Sequence, residues 1–172
     1  FFVTANFPTG SLLDNKCGPL NNQECRGWDS DQVNEFTRQR DKLLTALSGL
    51  DADVIGLNEL ENSTGVEPLV SITSGLPGYD YIATGTIGGD AIKVGMIYRP
   101  AVVTPVGGFQ ILDSTDDPRF IDTKSRPSLA QTFEVNATGA RFTVVVNHLK
   151  SKGSACTDVG DPDLLDGQGP LD

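Results

Sequence analysis

Val144-Val145-Val146-Asn147-His148-Leu149-Lys150-Ser151-Lys152 carries the single histidine of the chain at the point where an apolar run turns basic. Three consecutive β-branched residues favour a buried strand. His148 is therefore expected at the C-terminal end of that strand. Strand ends that open into loops are where α/β scaffolds carry their chemistry. An imidazole beside two ammonium groups suits an anion, phosphate above all. Taken alone, the stretch reads equally well as a strand-end histidine with two solvated lysines.

A second stretch has the same shape with the opposite charge. Asp51-Ala52-Asp53-Val54-Ile55-Gly56-Leu57-Asn58-Glu59-Leu60-Glu61-Asn62 is an apolar run that ends in carboxylates. Val54–Leu57 reads as a buried strand, with Glu59 in the loop that follows. A hard oxygen ligand there suits Mg²⁺ or Ca²⁺; the alternative is a solvated acidic loop. One strand end with a carboxylate and another with a histidine are more specific together than either alone.

Between and around these stretches the pattern is one early helix followed by strands. Residues 1–29 read as a long loop, punctuated by Pro8, Gly10, Gly18, Pro19 and Gly27. Asp29 and Ser30 offer a cap for a helix over Asp31–Leu50, where Val33, Phe36, Leu43, Leu44 and Leu47 keep helical spacing. A short helix is expected over Pro68–Gly75. Strands are expected over Tyr79–Ala83, Ala91–Tyr98 and Val102–Leu112, the last bent or bulged at Pro105 and Gly107-Gly108. Residues 113–127 read as an Asp/Pro-rich loop. Leu129–Val135 and Arg141–Val146 form a hairpin through Asn136-Ala137-Thr138-Gly139. From residue 153 on no periodicity is left, and Asp, Gly and Pro dominate. The set predicts an α/β sandwich with mostly antiparallel strands, its site built by loops at one sheet end.

The 172 residues suffice for one domain with a sizeable core. The net charge of −10, from 13 basic and 23 acidic residues, lacks the overall basic footprint of a nucleic-acid binder. A local basic site from Lys124, Arg126, Lys150 and Lys152 on an acidic body is still compatible with that total. No stretch is long and apolar enough to span a membrane as a helix. Of three cysteines, Cys17 and Cys25 flank a turn-rich loop and are read as either a local bridge or two free thiols. No Cys-x₂-Cys spacing suggests zinc.

ADVIGLNELEN followed downstream by VVVNHLKSKGSAC resembles the endonuclease/exonuclease/phosphatase superfamily, the DNase I-like fold, and within it the secreted bacterial nucleases. CGPLNNQECRGWDS, FTRQRDKLLTALSGLDADVIGL, DAIKVGMIYRP and DPRFIDTKSRPSLAQTF extend the likeness along nearly the whole chain. The resemblance implies a DNase I-like α/β sandwich and a secreted, extracellular, monomeric hydrolase of phosphodiesters in DNA or RNA. It also implies Mg²⁺ as cofactor, with Ca²⁺ or Mn²⁺ as alternatives. It places the metal on Glu59 and the scissile phosphate on His148 and Arg126. Lys150, Lys152 and Asn147 then hold the substrate, and Asp90 is a candidate to orient His148. It favours the Cys17–Cys25 bridge over the thiols, closing residues 1–29, and leaves Cys156 over. The family's first strand, its Asp-x-Asn and its terminal Asp-His pair have no counterpart, so residues 1–172 are expected to be a partial domain with an acidic flexible tail over 153–172. Asn6 falls among loop signals and is not assigned to the site. Two other readings stand beside the nuclease. One is a phospholipid or sugar-phosphate phosphodiesterase on the same fold. The other is an inactive calcium-binding module, toward which Asp161, Asp163 and Asp166 point, without the spacing of an EF-hand.

Overall fold

In a computed structural model, residues 1–11, 13–27 and 34–151 are described, Asn34 by its backbone alone. The helix cap at Asp29 and Ser30, Lys152, Cys156 and the acidic tail lie outside the described residues. The elements in chain order are β1 (Leu13–Cys17), β2 (Gln23–Arg26), α1 (Asn34–Leu50), β3 (Val54–Glu61), α2 (Pro68–Thr73), β4 (Asp80–Tyr81), β5 (Ile92–Tyr98), β6 (Val103–Leu112), β7 (Arg126–Val135) and β8 (Arg141–His148). They form a β1–β2 hairpin and two antiparallel sheets, ordered β3-β5-β4 and β6-β7-β8. The mixed α/β, antiparallel class agrees with the sequence reading.

Strand β5 shows why the layers stack as they do. All seven of its residues are buried. Val94, Met96 and Tyr98 pack with Val103, Leu129, Phe133 and Val146 of the second sheet. The alternate residue Ile97 packs with Leu47 of α1 and with Leu69 and Ile72 of α2. Side chains alternate across a strand, so a strand covered on both faces must be apolar throughout. The order of layers is therefore helices, first sheet, second sheet.

Lys93 breaks that apolar rule. Its side chain is 1 % exposed, and Nζ donates to Glu67 Oε2 at 2.9 Å and to the Gly85 carbonyl at 2.7 Å. Glu67 also caps α2, accepting from the Leu69 N–H. The buried cation thus ties β5 to the start of α2 and to the loop after β4. Its partners satisfy the charge, without which burial would cost several kcal/mol.

Residues 1–29 are not a plain loop, as expected from their turn formers. Cys17 and Cys25 are bridged, with Cα atoms 5.2 Å apart, and the bridge closes the antiparallel β1–β2 hairpin. Both cysteines are fully buried against Val3 and Ala91. The missing signal was a strand pattern: short polar strands do not alternate, and the covalent closure holds them. Such a disulfide belongs to an oxidising compartment. Among the described residues no helix is long and apolar enough to cross a membrane.

The bulge expected in β6 is present. Its register against β7 shifts between Val106 and Gln110, with Gly107 at φ 70°. Pro105 sits on this edge strand, where its missing N–H is tolerated. The hairpin between β7 and β8 turns through Asn136–Gly139, closed by Val135 N–H to the Ala140 carbonyl at 2.8 Å. Strand β4 is shorter than expected. Strands β3 and β7 are longer, each extended by an irregularity at the same end of the sandwich.

Candidate active site

Strand β3 does not stop at Leu57. Its register against β5 runs Leu57↔Gly95 and then Leu60↔Lys93, so one extra residue is accommodated at Asn58-Glu59. Glu59 takes φ 59°, a left-handed conformation that costs a non-glycine residue about 1–2 kcal/mol. The extra residue has a purpose in the packing. A one-residue slip exchanges the faces of a strand. Here it turns Leu60 into the core beneath the helices and leaves Glu59 on the open side. Bulges re-aim side chains in this way.

Strand β7 is irregular at the matching place. Arg126 pairs with His148 and Leu129 with Val146, so β7 carries one residue more than β8 over that span. Antiparallel pairing sets the start of β7 against the end of β8. His148 shares the inward face of Val146, which belongs to the core. The result is a cleft of about 480 Å³ at one end of the sandwich, lined by Glu59, Asp90, Arg126, His148 and the hairpin residues Glu24 and Arg26. Glu59, Arg126 and His148, expected at one phosphate position, are thus brought to one cleft by three different strands.

Glu59 is the open carboxylate of the cleft, its side chain 51 % exposed. Its nearest polar neighbours among the described residues are His148 Nε2 at 3.8 Å and the Phe1 nitrogen at 3.6 Å, both beyond hydrogen-bond length. Both oxygens are therefore available to a ligand. His148 is 16 % exposed. Burial pushes its pKa down, and the Arg126 charge adds to the shift, against smaller opposite pulls from Glu59 and Asp90. The shift disfavours the charged imidazolium with its two N–H donors. Its Nδ1 is buried and has no hydrogen-bond partner among the described residues.

Asp90 does not orient His148. Its Oδ2 accepts from Arg126 Nε at 2.7 Å, and its Oδ1 from the Ala91 N–H at 2.6 Å. The carboxylate is thus committed to the arginine and the Ala91 N–H, with no hydrogen bond to His148 among the described residues. Asn147 lies on the outward face of β8. Its Oδ1 accepts from Ser128 Oγ at 2.7 Å, and its carbonyl from Asn58 Nδ2 at 3.2 Å. It does not line the cleft. Strand β8 ends at His148, and Lys152, expected with Lys150 to hold the substrate, lies outside the described residues. Lys150 donates its backbone N–H to Ser125 Oγ and Nζ to the Ser151 carbonyl, and it is not among the lining residues.

Of the four residues expected to form a basic patch, Arg126 lines the cleft, Lys124 and Lys150 do not, and Lys152 lies outside the described residues. Among the described residues, the charged side chains of the lining are Glu24, Glu59, Asp90, Arg26 and Arg126, with His148 beside them. Arg26 is paired with Glu24 at 3.3 Å.

Two buried residues beside the cleft escaped the sequence reading. Glu61 is fully buried and accepts from Thr4 N–H at 2.6 Å, Ala5 N–H at 3.0 Å, Asn6 Nδ2 at 2.7 Å and Ser63 Oγ at 2.9 Å. Asn6 is thereby committed to holding Glu61 and does not line the cleft. Phe2 forms a parallel bridge with Leu60, so residues 2–6 run along the end of β3. Asn62, also fully buried, holds the segment 87–91. The available signal was the run Glu59-Leu60-Glu61-Asn62 itself, in which polar residues persist past the apparent strand end.

No family model and no curated protein matches the sequence. Among solved structures, the human Nocturnin catalytic domain with bound sulfate anion is similar at a TM-score of 0.48 and 16 % identity, over 71 % of this chain and 46 % of that one. The chain thus spans less than half the length of that structure.

Proposed function

We propose that this cleft hydrolyses phosphodiester bonds, with a divalent metal at Glu59 and nucleic acid as substrate. The observation that carries the reading is the meeting of Glu59, Arg126 and His148 in one cleft from three strands, with Glu59 held left-handed on a bulge. The sequence resemblance of the β3 and β8 stretches points the same way.

The residues fit Mg²⁺ or Mn²⁺. Mg²⁺ keeps several waters and binds through one or two carboxylates together with substrate phosphate, and Glu59 is one hard, half-exposed carboxylate whose side chain makes no hydrogen bond among the described residues. Among the described residues no group of three or more His, Cys, Asp and Glu side chains converges, so a calcium cage with many protein ligands is a poorer fit. When bound, the ion supplies Lewis-acid charge beside the phosphate.

Arg126 holds the phosphate from the other side. Its Nε is fixed by Asp90, and its two Nη groups remain for non-bridging oxygens, a geometry that suits a guanidinium better than an ammonium. Neutral His148 donates one hydrogen bond to the same phosphate, or accepts a proton at the free nitrogen. Secretion and a preference between DNA and RNA belong to the same proposal.

The test uses the protein that carries this sequence. Supercoiled plasmid, a single-stranded RNA and bis(p-nitrophenyl) phosphate are incubated with Mg²⁺, with Mn²⁺ and with chelator. Expected is metal-dependent hydrolysis that Glu59→Gln lowers by about 10²-fold or more with the fold kept. Undiminished activity of Glu59→Gln, or activity indifferent to chelation, would overturn the assignment.

A further inference from the structure

We infer that Asn62 is a positioning residue for Arg126, acting through Asp90. In its kinetic part this rests on the hydrolysis proposed above. Asn62 follows Glu61 at the end of β3 and is fully buried. Its Nδ2 donates to the carbonyls of Ile87, at 2.7 Å, and Asp90, at 2.8 Å. Its Oδ1 accepts from the Ile87 N–H at 2.9 Å, and its backbone N–H donates to the Ala91 carbonyl at 2.9 Å. One side chain therefore brackets the segment from both ends.

The segment needs such a bracket. Gly88 and Gly89 give it high conformational freedom, and Gly88 takes φ 61°. It packs closely on Pro127, the neighbour of Arg126; a Cβ on Gly88 would lie 2.9 Å from Pro127 Cγ. Asp90 closes the chain of contacts. Its Oδ1 is bound to the next backbone N–H, which fixes the carboxylate relative to its own backbone. The place of Oδ2, and so of the Arg126 Nε bonded to it at 2.7 Å, is then set by the Asp90 backbone. Asn62 holds that backbone. The strand end that presents Glu59 thereby also sets the arginine opposite.

An amide is required because the site needs two donors and an acceptor. Aspartate has the same shape but would face two carbonyls with oxygen, repelling both. Asn62→Asp is therefore the sharpest variant, with Asn62→Ala and Asn62→Ser as alternatives if it does not fold. Backbone amide spectra and thermal unfolding verify the fold.

The first readout is independent of activity. With ¹⁵N-labelled protein, solvent exchange of the Arg126 Nε–H is compared with that of other arginines. Protection in the wild type and its loss by about tenfold or more in the variant are expected; unchanged Arg126 exchange overturns the inference. The second is a double-mutant cycle with Mg²⁺ and bis(p-nitrophenyl) phosphate. Asn62→Asp should lower kcat by about 10- to 10²-fold and leave KM less affected. In an Arg126→Ala background it should add no further loss. Additive losses would make Asn62 merely structural. If the wild type hydrolyses nothing, the proposed function fails, and the exchange measurement still decides the positioning.

Discussion

Gly95→Ala tests how closely the first sheet is fitted to its helices. Gly95 lies opposite Leu57, where the β3 bulge begins. A Cβ at Gly95 would stand 2.5 Å from Leu60 Cδ1 and 3.1 Å from Leu69 Cδ1. Ordinary carbon contacts are about 3.5–4.0 Å, so Leu60 must retreat by roughly 1 Å. It has little room, since Leu60 is 2 % exposed and Leu69 fully buried. Overpacking of this kind costs about 1–3 kcal/mol, and the stiffer unfolded chain of alanine returns about 0.4–1. A net loss of about 1–2 kcal/mol is expected, read as a lowered urea midpoint with unchanged slope. Leu60→Ala alone should cost about 2–5 kcal/mol by leaving a cavity. In the double variant the new methyl occupies part of that cavity, so the combined loss should fall short of the sum by more than about 1 kcal/mol. Strictly additive losses, or a Gly95→Ala protein as stable as the parent, would refute the packing argument.

Three further outcomes follow from other parts of the molecule. Glu59→Gly should abolish metal-dependent hydrolysis while raising stability by up to about 1 kcal/mol, because it relieves the left-handed strain at φ 59°; a loss of stability in urea unfolding would show that no strain is stored there. Lys93→Met should destabilise by about 3–5 kcal/mol by stranding Glu67, and Lys93→Met with Glu67→Gln should recover most of it; failure of the second change to help would discount the ion pair. Tyr98 has its pKa raised by burial and then by the Asp80 charge. Its contribution is intact below the ordinary tyrosine pKa near 10 and is lost as pH rises from there through the higher folded value. Unfolding midpoints should therefore fall faster above pH 10 in the parent than in Tyr98→Phe, and parallel profiles would refute this.

The sequence by itself determined the elements whose pattern is local. Helical spacing from Phe36 to Leu47, the apolar runs of β5 and β8, and the glycines of the β6 bulge and the β7–β8 turn each state a backbone preference within a few residues. The placement of His148 at a strand end followed from such a run, whereas Glu59, expected in the loop after its strand, lies on a bulge inside β3. The closeness of Cys17 and Cys25 in the chain left a bridge and two thiols both open, and only the family resemblance favoured the bridge. What only the tertiary structure decided is which groups face one another. The β3 bulge is invisible in Leu57-Asn58-Glu59-Leu60, because it is forced by Leu60 seeking the core on one face while β5 fixes the register. Asp90 meets Arg126, 36 residues away in the chain, because the starts of β5 and β7 adjoin in space. Lys93 and Glu67, Glu61 and Asn6, and Asn62 and the 87–91 segment are the same case: polar groups whose burial is tolerable only because a distant part of the chain supplies the partner.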